Sequence, residues 1–118
     1  MPGDHEDVVG LVCNWLRPQV PGVSVGRLVT DERPSLQVRR SGGTVDGLLD
    51  AAELQFDVRA DDWDVAFDIA SAVRGSLPLA RGQITNVVQS SEQSGLFELQ
   101  DGDEPRLVFT WRVTVRSR

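Results

Sequence analysis

The sequence predicts an α+β domain: a mostly antiparallel, four- to five-stranded sheet with two amphipathic helices packed on one face. Three observations predict it. The candidate elements run helix, strand, strand, loop, strand, helix, strand, strand. Connections between successive strands are short, which favours antiparallel pairing. Two segments carry apolar residues at helical spacing, and each needs an apolar surface of the kind one face of a sheet supplies. A chain of 118 residues, 40% hydrophobic and 25% charged, holds enough apolar material for one core and one domain over residues 1–118.

The first helix is expected from about Asp4 to Leu16, with Asp4 as its cap and Glu6 and Asp7 at the positive end of its dipole. Val8, Leu11, Val12, Trp15 and Leu16 form its apolar stripe, and Pro18 and Pro21-Gly22 stop it. Two short strands follow, Val23–Val29 (weakened by Gly26) and Ser35–Arg40, joined by a polar loop that ends in Pro34. In the second, Leu36 and Val38 face one side with Arg40, while Gln37 and Arg39 face the other. Ser41–Asp50 holds three glycines and two aspartates, so a loop is expected there. Its Val45, Leu48 and Leu49 are apolar, a combination that often marks a binding surface.

Ala52–Ala60 alternates Leu54, Phe56 and Val58 with Gln55, Asp57 and Arg59, the period of a half-buried strand. Asp61 or Asp62 then caps a second helix that runs to about Leu77. Its stripe is Trp63, Ala66, Phe67, Ala70, Val73 and Leu77, with Asp64 and Asp68 towards solvent. Gly82–Ser90 reads as a strand of mixed register, and Ser90–Leu99 as either its extension into a hairpin arm or a loop. Gln100–Pro105 is an acidic turn before a last strand, Arg106–Arg116, with Phe109, Trp111, Val113 and Val115 on one face.

Charge and composition narrow the function classes. The net charge is −6 with arginines spread along the chain, which argues against nucleic-acid binding as the main task. All twelve cations are arginine and no tyrosine occurs, a bias that points to a GC-rich genome. No apolar run approaches the roughly 18–20 residues that cross a bilayer. The acidic start does not resemble a secretory signal, so a cytoplasmic protein is expected. Cys13, the lone cysteine, sits among apolar helix positions and is expected to act as a small hydrophobe. His5, the lone histidine, lies in a polar terminus with nothing to hold it as a base. Asp61-Asp62-x-Asp64 lacks the glycine and distal glutamate of a calcium loop, and helix capping explains it better. No phosphate loop and no Gly-x-Ser-x-Gly elbow occurs. Trp15, Trp63 and Trp111 all fall on apolar faces. No residue is a candidate for catalysis, for a cofactor or for a metal.

Four stretches carry a family resemblance: Val12-Cys13-Asn14-Trp15-Leu16-Arg17; Pro34-Ser35-Leu36-Gln37-Val38-Arg39-Arg40-Ser41-Gly42-Gly43; Leu54 to Ala60 followed by Trp63 to Ala70; and Phe109 to Arg116. Together they span most of the chain, and it resembles the tail terminator (minor tail, tail completion) proteins of siphophages, above all those of actinobacterial hosts. The resemblance implies a non-enzymatic virion protein, assembled in the host cytoplasm. Such proteins form a ring, usually a hexamer, on the head-proximal end of the tail tube, end its polymerisation and join tail to head. The implied partners are further copies of the chain, the tail tube protein and head–tail connector or neck proteins. DNA passes through the lumen without specific binding, and no cofactor and no membrane are involved. By this analogy the ring and tube contacts fall on Ser41–Asp50 and Ser90–Pro105. The candidate interface residues are Arg39, Arg40, Val45, Asp46, Leu48, Leu49, Phe97 and Arg112, with Arg39, Arg40 and Asp46 in intersubunit ion pairs. The net charge suggests an acidic lumen that repels phosphates. A head–tail adaptor or stopper, a tail-tube subunit and a small bacterial binding module remain open as alternatives.

Overall fold

The computed structural model describes residues 7–116. Helix α1 spans Val8–Leu16, and Asp7 caps it by accepting the Gly10 amide at 3.1 Å. The expected cap Asp4, like Glu6 and His5, lies outside the described residues. A 3-10 turn over Arg17–Gln19 ends the helix where Pro18 removes a donor. Strand β1 is only Ser24–Gly26 and runs parallel to the start of β2, Ser35–Asp46. The expected Val23–Val29 strand is thus cut short after Gly26. Leu28 and Val29 stand exposed in the following loop, where the Arg33–Pro34 peptide is cis.

The largest departure from expectation is at Ser41–Asp50. It is not a loop: β2 continues to Asp46, turns at Gly47-Leu48 and returns as β3, Leu49–Arg59. The glycines serve the ladder. A register shift between Arg40 and Gly42 leaves Ser41 as the extra residue of a bulge. Gly43 has φ +113, and a Cβ there would stand 2.1 Å from the Ala51 carbonyl oxygen, so only glycine lets the two strands approach. Gly47, at φ +59, makes the turn.

Helix α2, Trp63–Ser76, starts on Asp62, whose carboxylate accepts the Val65 amide at 2.9 Å. Its buried stripe is Ala66, Ile69, Ala70 and Val73. Phe67, expected in that stripe, lies on the exposed flank and tilts against Trp63, while Ile69 takes the inward position. A 3-10 turn at Leu77–Leu79 and the short α3, Ala80–Gln83, take only Gly82 and Gln83 of the expected Gly82–Ser90 strand, and a turn through Asn86, at φ +74, follows. Strand β4 therefore starts later, at Val87–Glu92. Strand β5, Phe97–Asp101, forms a hairpin with β6, Glu104–Arg116, around Gly102.

Among the described residues the sheet is mostly antiparallel, as expected, and has six strands, one more than the four to five expected, in the order β1-β2-β3-β6-β4, with β5 also on β6; only β1 and β2 run parallel. β4 and β5 lie end to end along the same edge of β6. Between them, the amides of Gln93 and Ser94 donate to the Thr110 carbonyl, and the Ser94 hydroxyl accepts from the Thr110 amide. The two are one long strand interrupted by a four-residue kink, as the hairpin-arm reading of Ser90–Leu99 allowed.

Side chains alternate across the sheet. Leu36, Val38, Leu54, Phe56, Val58, Leu107, Phe109, Trp111 and Val113 turn to one face and form the core with Val12, Leu16, Val73 and Leu77. Phe56 and Phe109 stack there, 5.0 Å between centroids. Cys13 is buried in this core, and burial raises its thiol pKa. Among the described residues, the opposite face of the sheet carries no helix.

Candidate assembly surface

Among the described residues, no group of histidine, cysteine, aspartate and glutamate side chains is placed to hold a metal ion. Nor, among these residues, is any helix long and apolar enough to cross a membrane. What the structure presents is surface: a hairpin arm, two unpaired strand edges and a polar sheet face.

The arm is the outer half of β2 and β3. Its tip carries Val45, Asp46 and Leu48, with Leu49 opposite Asp46; Val45 is 50% exposed and Leu48 61%. Four of the expected interface residues thus meet at one tip. Beneath it Arg40 grips Asp50 with two hydrogen bonds of 2.8 and 2.7 Å, while its Nε donates to the Gly42 carbonyl at 3.0 Å. Asp50 is 3% exposed while Arg40 stays exposed, so this is a charge-assisted fork buried on its carboxylate side. The bonds to Asp50 hold the Arg40 guanidinium pKa above its usual value. Arg40, expected in an intersubunit ion pair, is engaged within its own hairpin in the single chain.

Arg39 and Arg112 lie on the helix-free face of the sheet. Arg39 is exposed and donates to Gln55 at 3.0 Å, and Arg112 stands 3.6 Å from Glu53. Phe97 is 57% exposed on β5, opposite Val108. Leu49 pairs with Arg116, so Phe97 is eight positions along β6 from the arm, about 27 Å at strand rise. The site residues therefore form a tip cluster, a pair on the sheet face and one remote aromatic.

Three features escaped the sequence reading. One is a charged ladder at the far end of the helix-free face. Asp57, 5% exposed, accepts from Arg106 at 2.7 Å, Arg59 reaches both Asp57 and Glu104, and Arg33 hydrogen-bonds Glu104. The Arg33 contact holds the Glu104 carboxyl below its usual pKa. The alternation of Asp57 and Arg59 with apolar residues was the only sign of this. Another is a shallow groove between α2 and β4, lined by Ser71, Arg74, Gly75, Glu92 and Trp111. There Arg74 pairs with Glu92 and lies over the Phe109 ring. The last is the free edges. β1 pairs with β2 only from Ser35 to Gln37, so among the described residues no strand covers the outer edge of β2 from Val38 to Asp46. On the other side of the sheet, among the described residues no strand pairs with the outer edge of β4 and β5, although the Leu77–Leu79 turn and α3 pack against β4, where the Ser90 hydroxyl donates to the Leu77 carbonyl at 2.7 Å. Long uncovered edges are templates for pairing with another chain.

No known family model matches the chain, and no curated protein is similar to it in sequence.

Proposed function

We propose that this chain is a structural subunit that joins copies of itself into a closed ring, and that the ring is a tail terminator: it caps the head-proximal end of a phage tail tube and offers its other rim to the neck of the head. The observation that carries the reading is the pair of unlike free edges on opposite sides of one sheet. A head-to-tail ring needs two different patches per subunit that complement each other, and closes when the rotation between neighbours divides a full turn. The β2 arm edge and the β4–β5 edge are two such patches, and backbone hydrogen bonds between them would extend the ladder from subunit to subunit. The exposed Val45 and Leu48 at the arm tip, and Phe97 and Leu99 on β5, add apolar surface at each edge. The choice of terminator among ring formers rests on the resemblance of the sequence.

In this proposal the chain acts by binding, without chemistry, in a virion tail assembled in the host cytoplasm. Its partners are further copies, probed first as a hexamer, the tail tube protein and a head–tail connector. If edges pair and the helices lie on the outside of the ring, the helix-free face lines the lumen. That face sets Arg39, Arg59, Arg106, Arg112 and Arg116 against Asp46, Glu53, Asp57 and Glu104, so passing DNA would meet a nearly balanced wall. The acidic surplus sits elsewhere, at Asp61, Asp62, Asp64 and Asp68 around α2.

The test is solution mass across a concentration series, with negative-stain imaging of the same sample alone and with purified tail tubes. Rings alone, or single rings at one tube end, support the proposal. Repeated stacking along tubes would point to a tube subunit. A ring that ignores tubes but binds isolated head connectors would point to an adaptor or stopper. A monomer that ignores both would overturn the reading.

A further inference from the structure

We infer that Arg40 and Asp50 are positioning residues: with the bulge at Ser41, they clip the hairpin arm into a fixed direction so that its free edge exists before any partner arrives. The value of this device for assembly rests on the ring proposal, whereas its effect on the arm does not.

The β2 side of the arm needs such a device because the core does not reach it, whereas β3 is held there by β6. Beyond Arg40, every β2 residue from Ser41 to Asp46 is exposed or half-buried, so this half of the strand is not anchored by burial. Two adjacent glycines, Gly42 and Gly43, further loosen the chain. Polar contacts replace burial. The Arg40 guanidinium crosses the ladder to both Asp50 oxygens and also reaches past the bulge to the Gly42 carbonyl, tying together both strands and both sides of the irregularity. The Ser41 hydroxyl donates to the Glu53 carbonyl at 3.3 Å, across the same bulge. Bulges bend and twist the strand that carries them, so a clip at this point sets where the tip is aimed. Asp50 sits beside Val115 on β6, which ties the clip to the core-bearing part of the sheet. A preformed edge lowers the ordering cost of a partner strand.

The experiment is amide hydrogen exchange on the full chain, at a concentration where it is monomeric, followed by the mass series above. In Arg40→Gln, amides of residues 43–49 are expected to exchange roughly ten- to a hundredfold faster, the size of a lost charge-assisted bond. Amides of Leu54–Val58 are expected to stay as slow as in the parent protein. Arg40→Lys, which keeps the charge but not the fork, should recover part of the protection. If single variants fold poorly, Arg40→Gln/Asp50→Asn removes both charges together and should still free the arm. Unchanged exchange over residues 43–49 in a folded variant overturns the clip, whether or not the protein forms rings. Faster exchange with no ring in the parent protein, either alone or with tail tubes, keeps the clip and defeats the ring proposal. Faster exchange with undiminished ring formation shows that assembly does not need the preset arm, and overturns the positioning role.

Discussion

The two halves of the β2–β3 hairpin are held by different physics. In the base, Leu36, Val38, Leu54, Phe56 and Val58 are buried beneath the helices, and packing against Phe109 and Leu107 fixes the register. A slip of one residue there would turn the whole apolar set to solvent. In the arm β3 stays paired with β6, while β2 runs on from Ser41 to Asp46 with little apolar burial. The register of this β2 half depends on a glycine that admits close approach, a serine-filled bulge and one Arg–Asp fork. Burial tolerates imprecision in any one contact because many share the load. The arm's few polar contacts do not, so single substitutions should act locally and steeply there.

The strongest way to break the base is Phe56→Ala. Its ring is fully buried and stacked on Phe109, so a cavity must open in the centre of the core. Truncation of a buried phenylalanine costs about 3–5 kcal/mol, and the loss should appear in chemical denaturation as a lower midpoint with an unchanged slope. A loss below about 1 kcal/mol would mean that the base is not the stable half.

The matching break in the arm is Gly43→Ala. The positive φ and the overlap with the Ala51 carbonyl oxygen demand a backbone shift, and strained positions of this type cost about 1–3 kcal/mol. The expected signature differs from that of Phe56→Ala: fast amide exchange confined to the arm, with base amides little changed. If the cost spreads evenly over both halves, the hairpin is one cooperative unit and the contrast drawn here fails.

A smaller effect tests the charged ladder at the opposite end of the sheet. Arg33 lowers the Glu104 pKa below its ordinary value near 4.5. A carboxylate with a depressed folded pKa adds stability that is present above the unfolded value and is lost as pH falls through the folded one. The parent protein should therefore lose stability as pH drops below about 4.5, and Glu104→Gln should flatten that slope. Near neutral pH the variant should cost on the order of 1 kcal/mol, since both partners keep part of their surface in water. An identical low-pH slope in the two proteins would remove Glu104 from the account.

Much of the base was legible in the sequence, because burial leaves a periodic trace. Leu54, Phe56 and Val58 announce a strand, the last strand is marked as plainly, and the Asp62 cap announces a helix start. The arm was illegible for the same reason. With little burial along it, Ser41–Asp46 shows no strand period, and its glycines read as a loop when they in fact serve a bulge and a close strand contact. Arg40 illustrates the limit on site residues. Its charge was visible, but the partner that occupies it lies ten residues on, across a turn that composition does not reveal. Phe67 and Ile69 were confused because both fit the edge of a wide helical stripe, and only the sheet beneath α2 decides which one faces in. The tip residues Val45, Leu48 and Leu49 were legible as apolar groups without a core to join, and the structure leaves them so.

The smallest expected effect on stability bears most directly on that tip. Leu48 is largely exposed at the turn, so Leu48→Ser should change folding stability by no more than about 0.5 kcal/mol, as for most surface substitutions. The arm should keep its exchange protection, because the clip and the bulge remain in place. If the tip is a contact between subunits, the same substitution should raise the concentration needed for ring formation, by an amount that reflects one apolar side chain buried against a partner, roughly ten- to a hundredfold. That pairing of outcomes separates a surface kept for a partner from one that supports the fold. A loss of stability without a change in assembly would place Leu48 among the contacts that hold the arm, and would move the candidate interface away from the tip to the strand edges.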